Sequence, residues 1–165
     1  MSGEINFKEL AEFLVKAKIS TYASVNRMKL EAERPGFDEL EFQEGDYYYR
    51  DSYAGFFQAP GMEVVRVGGK DGEPIWAMAY SGGMLEKYHG GIEFAKQTFN
   101  FLKECLKRIS AEIPFRGPES YKEGYFEYVN QVEGDVRRFI GFEKILYKGE
   151  EVFSQDYCGG IVLDK

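Results

Sequence analysis

Asp51 has the surroundings that most invite chemistry. It alternates with Tyr47, Tyr49 and Tyr53 along YYYRDSY, so a pleated strand would set one carboxylate among three phenol rings on a single face. A carboxylate at the floor of an aromatic pocket suits a cation or a polyol. The plainer reading is a strand-end acceptor for tyrosine hydroxyls. Glu63 raises a related question, because its strand face also carries Val65 and Val67. A carboxylate among apolar neighbours needs a partner or takes up a proton. Glu143 recurs at the same place in a second, similar segment, and Arg34 and Arg116 lie upstream of the two sets of strands. Each arginine could fork onto one glutamate and pin the loop before the strands. Alternatively the two glutamates line a polar pocket. Trp76, Tyr80 and Tyr157 complete the candidate ligand-binding set with Tyr47, Tyr49, Asp51, Tyr53 and Glu63. Most large rings in such a set serve as core filling. Tyr80 and Tyr157, each just ahead of a double glycine, are the best placed to reach a shared cleft.

The remaining reactive types are few. His89 is the single histidine and the only ordinary proton shuttle for neutral pH, but in the connector Tyr88-His89-Gly90-Gly91 it reads first as a surface residue. One histidine excludes multi-histidine metal sites, and neither a metal nor a cofactor is expected. Cys105 fits an apolar helix face, and Cys158 stands where the earlier segment has Ser81. Two such cysteines make no disulfide framework, which points to a reducing, cytoplasmic setting. GGKDGEP lacks P-loop spacing and precedes a strand instead of a helix. Dinucleotide fingerprints, Cys-x-x-Cys pairs, zincin helices and nucleophile elbows are all missing from the sequence, so no catalytic residue is assigned.

The elements that must position these groups come from an internal repeat. GDYYYRDSYAGFFQAP (45–60) lies over GYFEYVNQVEGDVRRF (124–139), GMEVVRV over GFEKILY, and GEPIWAMAYSGGML over GEEVFSQDYCGGIV. Ten of the 37 aligned pairs are identical, including Gly61/Gly141, Glu63/Glu143 and Tyr80/Tyr157, and Asp51 faces Asn130. Alternation over Tyr47–Tyr53 predicts one strand, and 62–67 and 73–80 predict two more, with Gly-Gly-Lys-Asp-Gly (68–72) as a hairpin. Each copy is thus a three-stranded meander. A helix precedes each one. The first starts at Asn6 with capping-box Glu9 and an apolar stripe of Phe7, Leu10, Leu14 and Ala17. The second, about Glu93 to Ser110, carries Ala95, Phe99, Leu102, Leu106 and Ile109, widened by Phe94, Phe101 and Cys105. Segment 19–33 has no counterpart and reads as a lid.

Neither meander can cover its own apolar face. The expectation is therefore one α+β domain over 1–165, an internally duplicated (α-β-β-β)×2 with pseudo-two-fold symmetry. Repeat one spans about 6–85 and repeat two about 91–162. Six antiparallel strands, in one curved sheet or two facing ones, would pack with two helices. The 165 residues carry 28 acids against 21 bases, a net charge of −7 that argues against a nucleic-acid partner. No apolar run is long enough for a membrane span, and MSGEINFKEL carries acids where a secretory signal carries positive charge. Twelve Tyr, 14 Phe, one Trp and 19 Gly fit a β-rich domain with tight turns.

GDYYYRDSYAGFF, GMEVV and GEPIWAMAYSGG resemble an uncharacterised prokaryotic domain family, a domain of unknown function found alone or fused behind a helix-turn-helix DNA-binding domain. The resemblance covers about residues 7–162 and implies the stand-alone form, since little chain precedes Phe7. It carries over no catalytic residue. The function expected is a small-molecule-binding or sensory domain with an aromatic cleft between pseudo-symmetric halves. The alternatives are a protein-interaction or oligomerisation module, a homodimer for example, and an enzyme using a carboxylate or tyrosine.

Overall fold

The computed structural model describes residues 4–22 and 30–164. Helix α1 (Phe7–Ser20) starts where expected, with the Asn6 side chain accepting from the backbone N–H groups of Lys8 and Glu9. Strands β1 (Asp38–Glu44), β2 (Tyr47–Tyr53), β3 (Gly61–Val67) and β4 (Glu73–Met84) follow. A short 3₁₀ turn at Glu86–Tyr88 leads into α2 (Ile92–Leu106). Strands β5 (Ser120–Glu123), β6 (Phe126–Asp135), β7 (Arg138–Tyr147) and β8 (Glu150–Ile161) complete the chain.

The fold class expected from sequence needs correction: the chain builds one eight-stranded antiparallel sheet with two helices, not a six-stranded one or two facing sheets. Its strand order is β1-β2-β3-β4-β8-β7-β6-β5. The two extra strands, β1 and β5, lie at the edges. Their sequences, DELEFQE and SYKE, are mostly polar because one side of each ladder faces water. Each is joined to its neighbour by a two-residue loop that begins with glycine, Gly45-Asp46 and Gly124-Tyr125. Both glycines sit at φ +59°, which a side chain would resist. The repeated glycines at 45 and 124 are thus hairpin corners for strands that the polar sequence hides.

The seam of the sheet is the β4–β8 ladder, which pairs Tyr80 with Tyr157, Trp76 with Ile161 and Met84 with Phe153. Both four-strand units run inward from an edge to this seam. Their irregularities also match, with register shifts at Val65/Arg66 and at Ile145/Leu146. The helices divide the inner face. Leu10, Phe13, Leu14 and Ala17 of α1 pack with Tyr49, Val65, Trp76, Met78, Tyr80 and Tyr157. Phe101, Leu102, Cys105 and Leu106 of α2 pack with Tyr128, Ile145, Phe153 and Met84. Trp76 is wholly buried, stacks on Phe139 at 5.8 Å and satisfies its indole N–H on the Val136 carbonyl. A ring buried this way contributes about 2–3 kcal/mol. Of the segment read as a lid, residues 23–29 lie outside the described residues. No helix among the described residues is long and apolar enough to cross a membrane.

Candidate functional site

The inner face carries a polar network that an apolar core would not ask for. In the second unit Arg116 donates through Nε and Nη2 to Glu143 Oε1 at 2.9 and 2.7 Å. Tyr128 donates to the other oxygen of the same carboxylate, and Gln155 to the first at 3.1 Å. Glu143 is fully buried, and these four donors satisfy both of its carboxylate oxygens. Burial works against the Arg116 charge, but Glu143 holds its pKa well above the usual value. Beside this pair Tyr157 donates to Asn130 Oδ1 at 2.6 Å, and Asn130 Nδ2 donates to the Gly117 carbonyl at 2.9 Å.

The first unit solves the same problem differently. Glu63 pairs with Lys18 of α1 instead of the expected Arg34. Arg34 is exposed and lies over the Phe37 ring. Lys18 also donates to the Phe115 carbonyl at 2.6 Å, which ties this cluster to the Arg116 segment. Burial pulls the Lys18 pKa down, and Glu63 opposes the fall. Tyr80 donates to Asp51 Oδ1 at 2.7 Å, matching Tyr157 and Asn130. Tyr80 reaches Asp51 by crossing Gly61: a Cβ at Gly61 would stand 2.4 Å from the Tyr80 hydroxyl. Gly141 makes the same room for Tyr157. The hydroxyl of Tyr49, the counterpart of Tyr128, is buried and makes no hydrogen bond of normal geometry among the described residues.

Charge bookkeeping singles out one group. Lys18 and Arg116 match Glu63 and Glu143 one to one, which leaves Asp51 as the odd carboxylate. Asp51 is 1% exposed. Burial and the neighbouring Glu63 push its pKa up to about 7, against the pull of Tyr80, Lys18 and Arg116. Asp51 is therefore poised to change protonation near neutral pH.

A pocket of about 310 Å³ opens beside this network. Tyr53, Tyr80, Gly82, Gly83, Phe153 and Gln155 line it from the sheet, and Gly55, Phe56 and Ala59 from the β2–β3 connection. Lys96, Phe99, Asn100 and Lys103 of α2 form another wall, with Tyr22, Asp38 and Arg116 completing it. Phe56 meets Phe99 edge-on at 5.4 Å, and Phe99 meets Phe153 at 6.4 Å, so the apolar part is a wall of rings. Gln58 bridges to Gly83, and the Met84 N–H donates to the Phe57 carbonyl at 2.7 Å. These bonds hold the connection against the seam.

Of the eight residues singled out in the sequence, Tyr53 and Tyr80 line the pocket. Asp51 and Glu63 stand behind Tyr80 in the buried network, and Tyr49, Trp76 and Tyr157 are core. Tyr47 packs on Phe13 at 5.1 Å. His89 stacks on Phe57 and its Nε2 meets the Met84 carbonyl, the role of a turn residue. The sequence reading missed Lys18, Phe56, Lys96, Asn100, Lys103 and Gln155. A signal existed for Gln155, which interrupts the apolar alternation Phe153-x-Gln155-x-Tyr157. Another existed for α2, where Lys96, Asn100 and Lys103 recur on one helical face. Among the described residues no cluster of His, Cys, Asp or Glu could hold a metal ion.

Comparison with known families gives a match over residues 51–162 to the model described as Domain of unknown function (DUF5680). No curated protein and no solved structure matches the chain.

Proposed function

We propose that this chain, which belongs to the family described as Domain of unknown function (DUF5680), is a small-molecule-binding domain of the sensory kind. The observation that carries this reading is the 310 Å³ pocket at the seam between the two four-strand units. Its volume fits a ligand of about one ring, and its lining has the usual composition of a binding site: aromatic walls with a few convergent polar groups. Tyr80 joins that lining directly to the buried Asp51, so occupancy has a route into the core.

The test is a thermal-shift screen of the full chain against metabolite pools, with hits confirmed by native mass spectrometry. A ligand at 100 times its Kd stabilises by about 2.7 kcal/mol. Ala59→Trp fills the pocket from an irregular connection and should abolish the shift while the unliganded midpoint stays close to that of the parent. Stabilisers that act equally on both proteins, or none at all, would refute the reading.

A further inference from the structure

We infer that the pocket takes a small organic anion, a carboxylate with an apolar ring-sized body, whose charge is met by the lysines of α2. This rests on the ligand-binding reading above and adds the ligand's charge. Among the described residues three cations, Lys96, Lys103 and Arg116, line the pocket against one acid, Asp38. The chain as a whole is acidic, at −7, so this wall runs opposite to the protein's own sign. Arg116 is neutralised by Glu143, and Lys103 and Asp38 have contacts of their own. Lys96 pairs with Glu93, three residues away on the exposed helix surface, where the interaction is weak and screened. The body of the ligand is set by Phe56, Phe99 and Phe153.

Asp51 makes the anion's binding sensitive to pH. The groups facing Asp51 are Glu63 from β3, Tyr80 from β4, Lys18 from α1, Arg116 from the segment before β5, and the phenols of Tyr22 and Tyr49. When Asp51 is ionised it fixes the Tyr80 hydroxyl as its donor and sets a negative charge behind the pocket wall. When Asp51 is neutral that charge is gone, and an anion in the pocket meets less repulsion from behind the wall. The second unit has Asn130 and Tyr157 at the matching places, and Tyr157 does not line the pocket. The titratable member of the pair stands on the side where the tyrosine meets the pocket.

Benzoate, benzamide and benzamidine share one shape and carry negative, zero and positive charge. Titrating each into the ¹⁵N-labelled full chain, followed by amide shifts near Phe99 and Gln155, reads the preference directly. Benzoate should bind roughly fivefold or more tightly than benzamidine, and Lys96→Gln with Lys103→Gln should remove that advantage. Its affinity for the parent should fall several-fold between pH 6 and pH 8.5, while Asp51→Asn holds it level. A benzamidine preference overturns the anion assignment and leaves the binding pocket standing. A benzoate preference with no pH dependence in the parent overturns the role of Asp51. If no probe shifts a pocket resonance, the binding reading falls together with this one.

Discussion

Replacing Asp51 by asparagine tests the central electrostatic claim without any ligand. The pKa of Asp51 is 3.8 for a free carboxyl and about 7 in the fold. The folded chain therefore holds a proton that the unfolded chain has released between those values. Stability must fall as pH rises through that window and level off above it, because the unfolded state binds fewer protons there. About three pH units at ~1.4 kcal/mol each give a penalty on the order of 4 kcal/mol at pH 8. An uncharged amide removes it. The replacement is sterically tested within the molecule, since Asn130 holds the matching position and accepts from Tyr157 at 2.6 Å. The amide oxygen introduced by D51N can accept from Tyr80, and its NH₂ group would face the cross-strand neighbour Glu63. Urea denaturation from pH 5 to pH 9 should show D51N ahead of the parent by only about 1.5 kcal/mol at pH 5, since most of the window from 3.8 to about 7 still lies above that pH. By pH 8, D51N should be the more stable by about 2–4 kcal/mol. Titrating groups remote from Asp51 cancel in the difference. A difference that is flat with pH, or D51N weaker throughout, would show that Asp51 is ionised in the fold and would remove the pH argument.

Three further outcomes follow from the same geometry. Arg116→Ala leaves Glu143 buried and stripped of its guanidinium partner, and should lower stability by about 3–5 kcal/mol in chemical denaturation. Gly61→Ala puts a methyl 2.4 Å from the Tyr80 hydroxyl and 2.7 Å from the Ser52 carbonyl, so it should destabilise by about 1–3 kcal/mol and shift the Tyr80 ring resonances. Cys158 is exposed, whereas Cys105 is buried and its thiol is pushed up to about 12, so Ellman's reagent should titrate one thiol in the native protein and two in guanidinium.

The strands that alternate cleanly were legible: Tyr47–Tyr53 and Gly61–Val67 fall where periodicity and glycine chemistry put them. β1 was not, because Leu40 and Phe42 are its only apolar residues among acids and glutamine. An edge strand has little apolar surface to bury, so little pattern reaches the sequence. β4 runs on to Met84, past the expected stop at Tyr80, because the glycines at 82 and 83 remain in the ladder to β8. For the site, buried partners were harder than buried rings. The apolar face around Glu63 shows that it needs a cation, yet the cation is Lys18, a helix residue whose place opposite β3 depends on how α1 crosses the sheet. Arg116 was legible because repeat and spacing point the same way. The lysines of the pocket wall resemble any solvated helix face until α2 is docked.

The seam sets the order in which the molecule can assemble. Within each unit neighbouring strands are joined by short connections, so their ladders close small loops. The β4–β8 ladder joins residues about 70 to 85 positions apart, from Met84 with Phe153 to Trp76 with Ile161. Closing so long a loop costs more entropy than any hairpin, and it gains most once both partners are already straight. The two meanders should thus form first and zip together last. The pocket, which straddles that zip, should come into being only at the final step of folding.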